Sequence, residues 1–229
     1  MNRWCVVFDL DDTLYPEREY AISGFRAAAR WAQREHNIKD IDLDMTRMLD
    51  EGLRGDIFNR VLTERLPGHA PDLVQRLLDA YRANVPQLTL FPDAARALDH
   101  FGARVPLGLV TDGPQQGQAR KVAALGLEPR FAKIAYTDSF GGRAFWKPHP
   151  ASFEAVADAM RGTASRFVYV GDNPSKDFVA PNAMGWHTIQ IARPKDVHVG
   201  IHDGAKTVEG GEPHHIIGSL DELKDLLLV

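Results

Sequence analysis

One apolar run, "WCVVF" at residues 4–8, stands far from every other strand-like segment of the chain. The next such segment, "VPLGLV" at 105–110, comes only after Pro92. Between them, residues 17–83 read as helical throughout. Phe25, Ala28, Ala29 and Ala32 recur at helical spacing, as do Ile57 and Val61 and, one face over, Phe58, Leu62 and Leu66. Leu73, Leu77 and Tyr81 form another stripe. Breaks at "HNIKD" (36–40), "EGLRG" (51–55) and "LPGHAPD" (66–72) divide the block into about four helices, enough for a small bundle. Any sheet that uses the first run must therefore be completed from the far side of a helical block.

After Pro92 the pattern alternates. A helix at 93–101 precedes the strand at 105–110, and a second helix ends near Gly126. There follow a strand at 131–136, a helix at 150–160, a strand at 166–171, a helix at 175–184 and a strand at 187–192. Strands alternating with helices predict βα units and a parallel sheet. Residues 193–215, rich in Gly, His and charge, give no clear element. A short strand at 215–217 and a terminal helix close the pattern, with Ser219 and Glu222 at capping-box spacing. The expected fold class is α/β: a Rossmann-like parallel sheet core formed by residues 1–16 and 89–229, interrupted by an inserted α-helical bundle at 17–88. In open α/β sheets ligands bind outside the carboxyl ends of the strands, where an insertion after the first strand would sit as a cap.

The strand ends carry the chemistry. After the first comes "DLDDT", with Asp9, Asp11 and Asp12 inside four residues. Two unit charges ~4 Å apart cost about 4 kcal/mol near a protein surface. After the strand at 105–110 come Thr111, Asp112 and Gly113, and the loop after 131–136 runs to "WKPHP" with Lys147. The strand at 166–171 leads into "GDNPSKD", with Asp172 and Asp177. A parallel sheet gathers these ends on one edge. Crowded carboxylates call for a cation, and hard oxygen donors suit Mg²⁺. A hydroxyl, backbone N–H groups and a lysine suit phosphate.

"DLDDT", "TDG", the lysine before proline and "GDNPSKD", in this order and each after a predicted strand, resemble the four motifs of the haloacid dehalogenase superfamily. The resemblance spans nearly the whole chain, including the place where such proteins insert a helical cap. It implies that Asp9 is the nucleophile, forming an aspartyl-phosphate, and that Asp11 is the acid and base. It further implies that Thr111 and the N–H groups of Asp112 and Gly113 hold phosphoryl oxygens, and that Lys147 neutralises phosphate and tempers Asp9. Asp9, Asp172 and Asp177, with the backbone carbonyl of Asp11, are the implied Mg²⁺ ligands. Relatives often carry Asn where this chain has Asp112, so its carboxylate is expected to point away from phosphate and cap the next turn. Asp12 is expected to shape the turn.

The dehalogenases of the superfamily lack the second Asp, because a leaving halide needs no proton and a leaving alkoxide does. The resemblance therefore implies an Mg²⁺-dependent phosphatase acting on a small phosphorylated metabolite. A phosphomutase with the same Asp pair, or a non-catalytic phosphate- or Mg²⁺-binding regulatory module, are the competing readings. A calcium loop fails on Leu14 and Tyr20, where Gly and Glu are required. Substrate choice is expected in the insertion, where Arg54 lies between two glycines and could reach an anionic or hydroxylated leaving group. The net charge of -4 gives no support for general nucleic-acid or membrane binding, and no stretch approaches ~20 apolar residues. The lone Cys5 and the lack of an N-terminal apolar leader fit a cytoplasmic protein, as a monomer or a cap-mediated homodimer.

Overall fold

The computed structural model describes residues 3–53, 55–195, 197–198, 200 and 204–227. The first strand, β1 (Trp4–Phe8), is followed by four helices: α1 (Glu17–His36), α2 (Ile41–Asp50), α3 (Ile57–Arg65) and α4 (Leu73–Arg82). Then come α5 (Pro92–Gly102), β2 (Leu107–Thr111), α6 (Gln115–Ala124), β3 (Lys133–Tyr136), α7 (Ala151–Ala159) and β4 (Arg166–Gly171). The chain continues through α8 (Val179–Ala183), β5 (His187–Ile191), β6 (His215–Ile217) and α9 (Leu223–Leu226). The chain divides into two compact units, Met1–Glu17 with Leu88–Val229, and Arg18–Gln87.

In the first unit the six strands form one parallel sheet in the order β3-β2-β1-β4-β5-β6. β1 lies inside it, with Val6 opposite Leu107 on one side and Val168 on the other. Residues 5 to 8 are all buried, the near-continuous apolar run expected of a strand covered on both faces. Cys5 and Val7 share one face with Phe153 and Val156 of α7 and with Tyr169, Phe178 and Trp186. Burial pushes the Cys5 thiol up to about 12, so it behaves as a small apolar side chain.

The second unit has its own core. Phe25, Ala28, Ala29 and Ala32 of α1 pack with Met45, Met48, Val61, Leu62, Leu73 and Leu77, and Trp31 covers the edge. The small residues along α1 let the other helices approach closely. Gly24 is the extreme case, since a Cβ there would lie 2.2 Å from the Tyr81 ring.

Two elements differ from expectation. β2 begins at Leu107 and takes in Thr111, so that hydroxyl sits at the strand's last residue. The helix expected at 175–184 is only Val179–Ala183. Local side-chain bonds displace its first turn: Asn173 Oδ1 accepts from the N–H and hydroxyl of Ser175, and Asp177 Oδ2 accepts from the Asn173 N–H. Between Ile191 and His215 no described residue is helix or strand. That segment is nonetheless fastened, since Asn182 Nδ2 donates to the carbonyls of Gly210 and Glu212 at 2.9 and 2.8 Å. The capping box at Ser219 and Glu222 forms at the final helical turns. No helix among the described residues is long and apolar enough to cross a membrane.

Candidate active site

The parallel sheet places Asp9, Thr111 and Asp172 at the carboxyl ends of neighbouring strands, all within the first unit. β1 runs on into the site, where the Asp9 N–H donates to the Val170 carbonyl at 2.8 Å. Lys147 enters from the long connection after β3. Its Nζ donates to Asp9 Oδ1 at 2.7 Å, to Asp177 Oδ1 at 2.6 Å and to the Tyr169 hydroxyl at 3.1 Å. An ammonium has three donors, and all three are used, so this lysine is tolerated with its side chain fully buried.

The Lys147 ammonium bonds two of three neighbouring carboxylates, Asp9 and Asp177. Oxygens of Asp9, Asp172 and Asp177 lie within 4.8 Å of one another. Burial, with the charge of Asp177 added and that of Lys147 opposing, pushes the Asp9 carboxyl up to about 7. Burial, Asp177 and Asp9 push Asp172 well above the usual carboxylate range. For Lys147 burial works against the charge, but Asp177 and Asp9 outweigh it and hold the ammonium protonated. Lys176 adds a second, opposing charge to both Asp9 and Asp172, yet both carboxyls stay raised, and the pocket's donors are three hard oxygens. That donor set fits Mg²⁺.

Asp11 belongs to a different cluster. Lys121 Nζ lies 2.7 Å from its Oδ1, Gln118 Nε2 donates to its Oδ2 at 3.2 Å, and the Tyr15 hydroxyl donates to Oδ1. Burial and the nearby Asp11 charge hold the Tyr15 phenol well above its ordinary range, so it stays a neutral donor. Thr111, also buried, donates its hydroxyl to Gln118 Oε1 at 2.9 Å. Gly113 has φ 123°, a conformation that suits glycine, and a Cβ there would come 2.7 Å from Gln118 Nε2.

Asp112 does not cap α6, whose first N–H, that of Gln115, donates instead to Asp138 Oδ2 at 3.1 Å. Its Oδ1 accepts the Lys147 N–H at 3.0 Å and its Oδ2 the Lys176 ammonium at 2.9 Å. Burial pushes this carboxyl up, yet the two lysine charges prevail and hold it below the usual range. The carboxylate is therefore spent on joining three loops. Asp12 sits at φ 54° and accepts the N–H of Glu17, the first residue of α1, at 2.9 Å. His198 Nε2 stands 2.8 Å from the same oxygen. Arg54 lies outside the described residues.

Residues 5–185 match the model of the haloacid dehalogenase-like hydrolases. The chain belongs to that family. This hydrolase is 28% identical to glyceraldehyde 3-phosphate phosphatase from Methanocaldococcus jannaschii, over 97% of its own length and 96% of that protein's. Its fold matches YfnB from Bacillus subtilis, solved bound to magnesium, with a TM-score of 0.64, 20% identity and full coverage of both chains. It also matches a 2-haloacid dehalogenase from Pseudomonas syringae with a TM-score of 0.58 and 27% identity, over 99% and 98% of the two chains.

Tyr15, Gln118, Lys121, Tyr169 and Lys176 escaped the sequence reading. For Gln118 and Lys121 a signal existed: they lie three apart on a helix, on the side of Val122, and all three are buried.

Proposed function

We propose that this hydrolase is an Mg²⁺-dependent phosphatase that frees a small phosphorylated metabolite, a sugar phosphate in the first instance, of its phosphoryl group through an aspartyl-phosphate on Asp9. The observation that carries the reading is Asp11, a second carboxylate two residues after Asp9 and joined through Gln118 to the Thr111 hydroxyl. A dehalogenase would have no use for it, since a halide departs without a proton. The likeness to a named sugar-phosphate phosphatase over nearly the full length of both chains supports the same reading.

In the first step an oxygen of Asp9 bonds to phosphorus as the bond to the leaving oxygen breaks. Asp11 supplies the leaving oxygen with its proton. In the second, water attacks the phosphorus, Asp11 takes the water's proton, and the bond to Asp9 breaks. Lys147 holds Asp9 in place and offsets its charge. Thr111 and the N–H groups that follow it hold phosphoryl oxygens. Asp9, Asp172 and Asp177 would hold Mg²⁺, which when bound offsets the charge of carboxylate and phosphate as they approach.

Phosphate release across a panel of phosphorylated metabolites, with and without Mg²⁺, tests the activity. Borohydride reduction of the quenched enzyme should convert Asp9 to homoserine during turnover. An active Asp9→Asn enzyme would refute the mechanism, and bisphosphate-stimulated isomerisation without net phosphate release would select a mutase.

A further inference from the structure

Gln118 and Lys121 occupy the inward side of α6, where apolar residues would pack without cost. They are instead 4% and 3% exposed and polar. A buried amide or ammonium is expensive unless its hydrogen bonds are made. Here both are directed at Asp11. Lys121 Nζ binds Oδ1 at 2.7 Å, with Glu17 Oε1 3.7 Å from the same ammonium, and Gln118 Nε2 binds Oδ2. A carboxylate can only accept, so Gln118 must turn its Nε2 to Asp11 and its Oε1 to Thr111. A single amide therefore spans the hydroxyl that would hold phosphate and the carboxylate that would handle the leaving group.

We propose that Gln118 and Lys121 are positioning residues that fix the Asp11 carboxylate relative to Thr111, and so set how well Asp11 reaches the leaving oxygen. This rests on the phosphatase reading above. Thr111 has one hydroxyl proton, and it is directed to Gln118. Donating it to a phosphoryl oxygen means releasing Gln118, so phosphate binding and the setting of Asp11 share one joint. Lys121, together with the Tyr15 hydroxyl, holds the other oxygen while Gln118 exchanges partners.

The experiment compares kcat/KM for an alkyl phosphate, whose alkoxide must be protonated, with 2,4-dinitrophenyl phosphate, whose phenolate leaves unaided. Both constants report the transfer to Asp9. In Lys121→Met and in Gln118→Leu the alkyl-to-aryl ratio should fall about 10–100-fold, a share of the 10²–10⁴ that a general acid supplies. Lys121→Arg should restore part of it. Gln118→Leu is close to isosteric and carries the test alone if Lys121→Met does not fold. A ratio unchanged in Gln118→Leu, with both esters slowed alike or not at all, overturns the proposal. A wild-type protein that cleaves neither ester, or an Asp9→Asn protein that still turns over, overturns the phosphatase reading instead.

Discussion

Lys147 and Asp9 are joined at 2.7 Å in a site where both side chains are sealed from water. The ammonium also serves Asp177, so its loss strands two buried carboxylates at once. Removing one partner of a buried pair costs about 3–5 kcal/mol. Lys147→Met should lose that much in urea unfolding at pH 8 with chelator present. Asp9→Asn removes one of three crowded carboxylates and should gain about 1 kcal/mol, the usual trade of stability against activity. A Lys147→Met protein as stable as wild type would contradict the geometry.

The Asp9 carboxyl, raised to about 7 chiefly by burial, gives the metal-free protein an unusual dependence on pH. Between about pH 4, the ordinary carboxyl range, and pH 7 the folded state keeps a proton that the unfolded chain has lost. Folding therefore binds protons, and stability should fall as pH rises through this window. In chelator the urea midpoint should decline from pH 5 to 8, and Asp9→Asn should remove part of the decline, the rest belonging to Asp172 and Glu17, which burial raises likewise. Mg²⁺ at a hundred times its Kd should add about 2.7 kcal/mol at pH 8. A midpoint indifferent to Mg²⁺ would tell against the assigned ligands.

Gly171, the last residue of β4, has Asp177 packed over its Cα. A Cβ there would stand 2.6 Å from Asp177 Oδ2. That oxygen also accepts the Asn173 N–H, so Gly171→Ala must move the carboxylate off both the loop and the metal position. Mg²⁺ affinity by calorimetry should fall about 10-fold or more, the scale seen when ligand orientation is disturbed. Unaltered affinity would show that Asp177 is not held where the metal binds.

In the helical unit, Gly24→Ala should destabilise although Ala is the better helix former by about 1 kcal/mol. The new Cβ would meet the Tyr81 ring, itself set against Phe25 and Phe58 at 5.8 and 5.4 Å between centroids. Overpacking of this kind costs about 1–3 kcal/mol. Pairing it with Tyr81→Leu should recover most of the loss, measured as unfolding midpoints of the two single variants and the double.

The sequence made some parts of this molecule plain for physical reasons and hid others. β1 and the strands that flank it are short apolar runs ending in Asp or Thr-Asp, a local signal that survives without knowledge of the fold. That Asp9, Lys147, Asp172 and Asp177 would meet at one end of the sheet was legible because each lies beyond the carboxyl end of a strand. Asp112 misled, because what fixes its carboxylate is the Lys147 N–H and Lys176, from two other loops. Tyr15 carried no signal of its own in the sequence, because only the fold sets its hydroxyl against Asp11. The first turn of α8 was lost to Asn173 and Asp177, whose side chains take the backbone bonds a helix would need.

β1 precedes the other five strands in the chain, and its two edges pair with strands made at different times. Its partner Phe167 is opposite Cys5, so the strand bearing Asp9 waits until most of the chain exists before its second edge can close. At roughly 5–20 residues per second, synthesis of that interval takes about 10–30 s. Throughout it a buried-type apolar strand has no permanent neighbour on that side, and long-range parallel pairing is intrinsically slow. The central position that gathers the acidic site thus leaves that site incomplete in a nascent chain until β4 emerges.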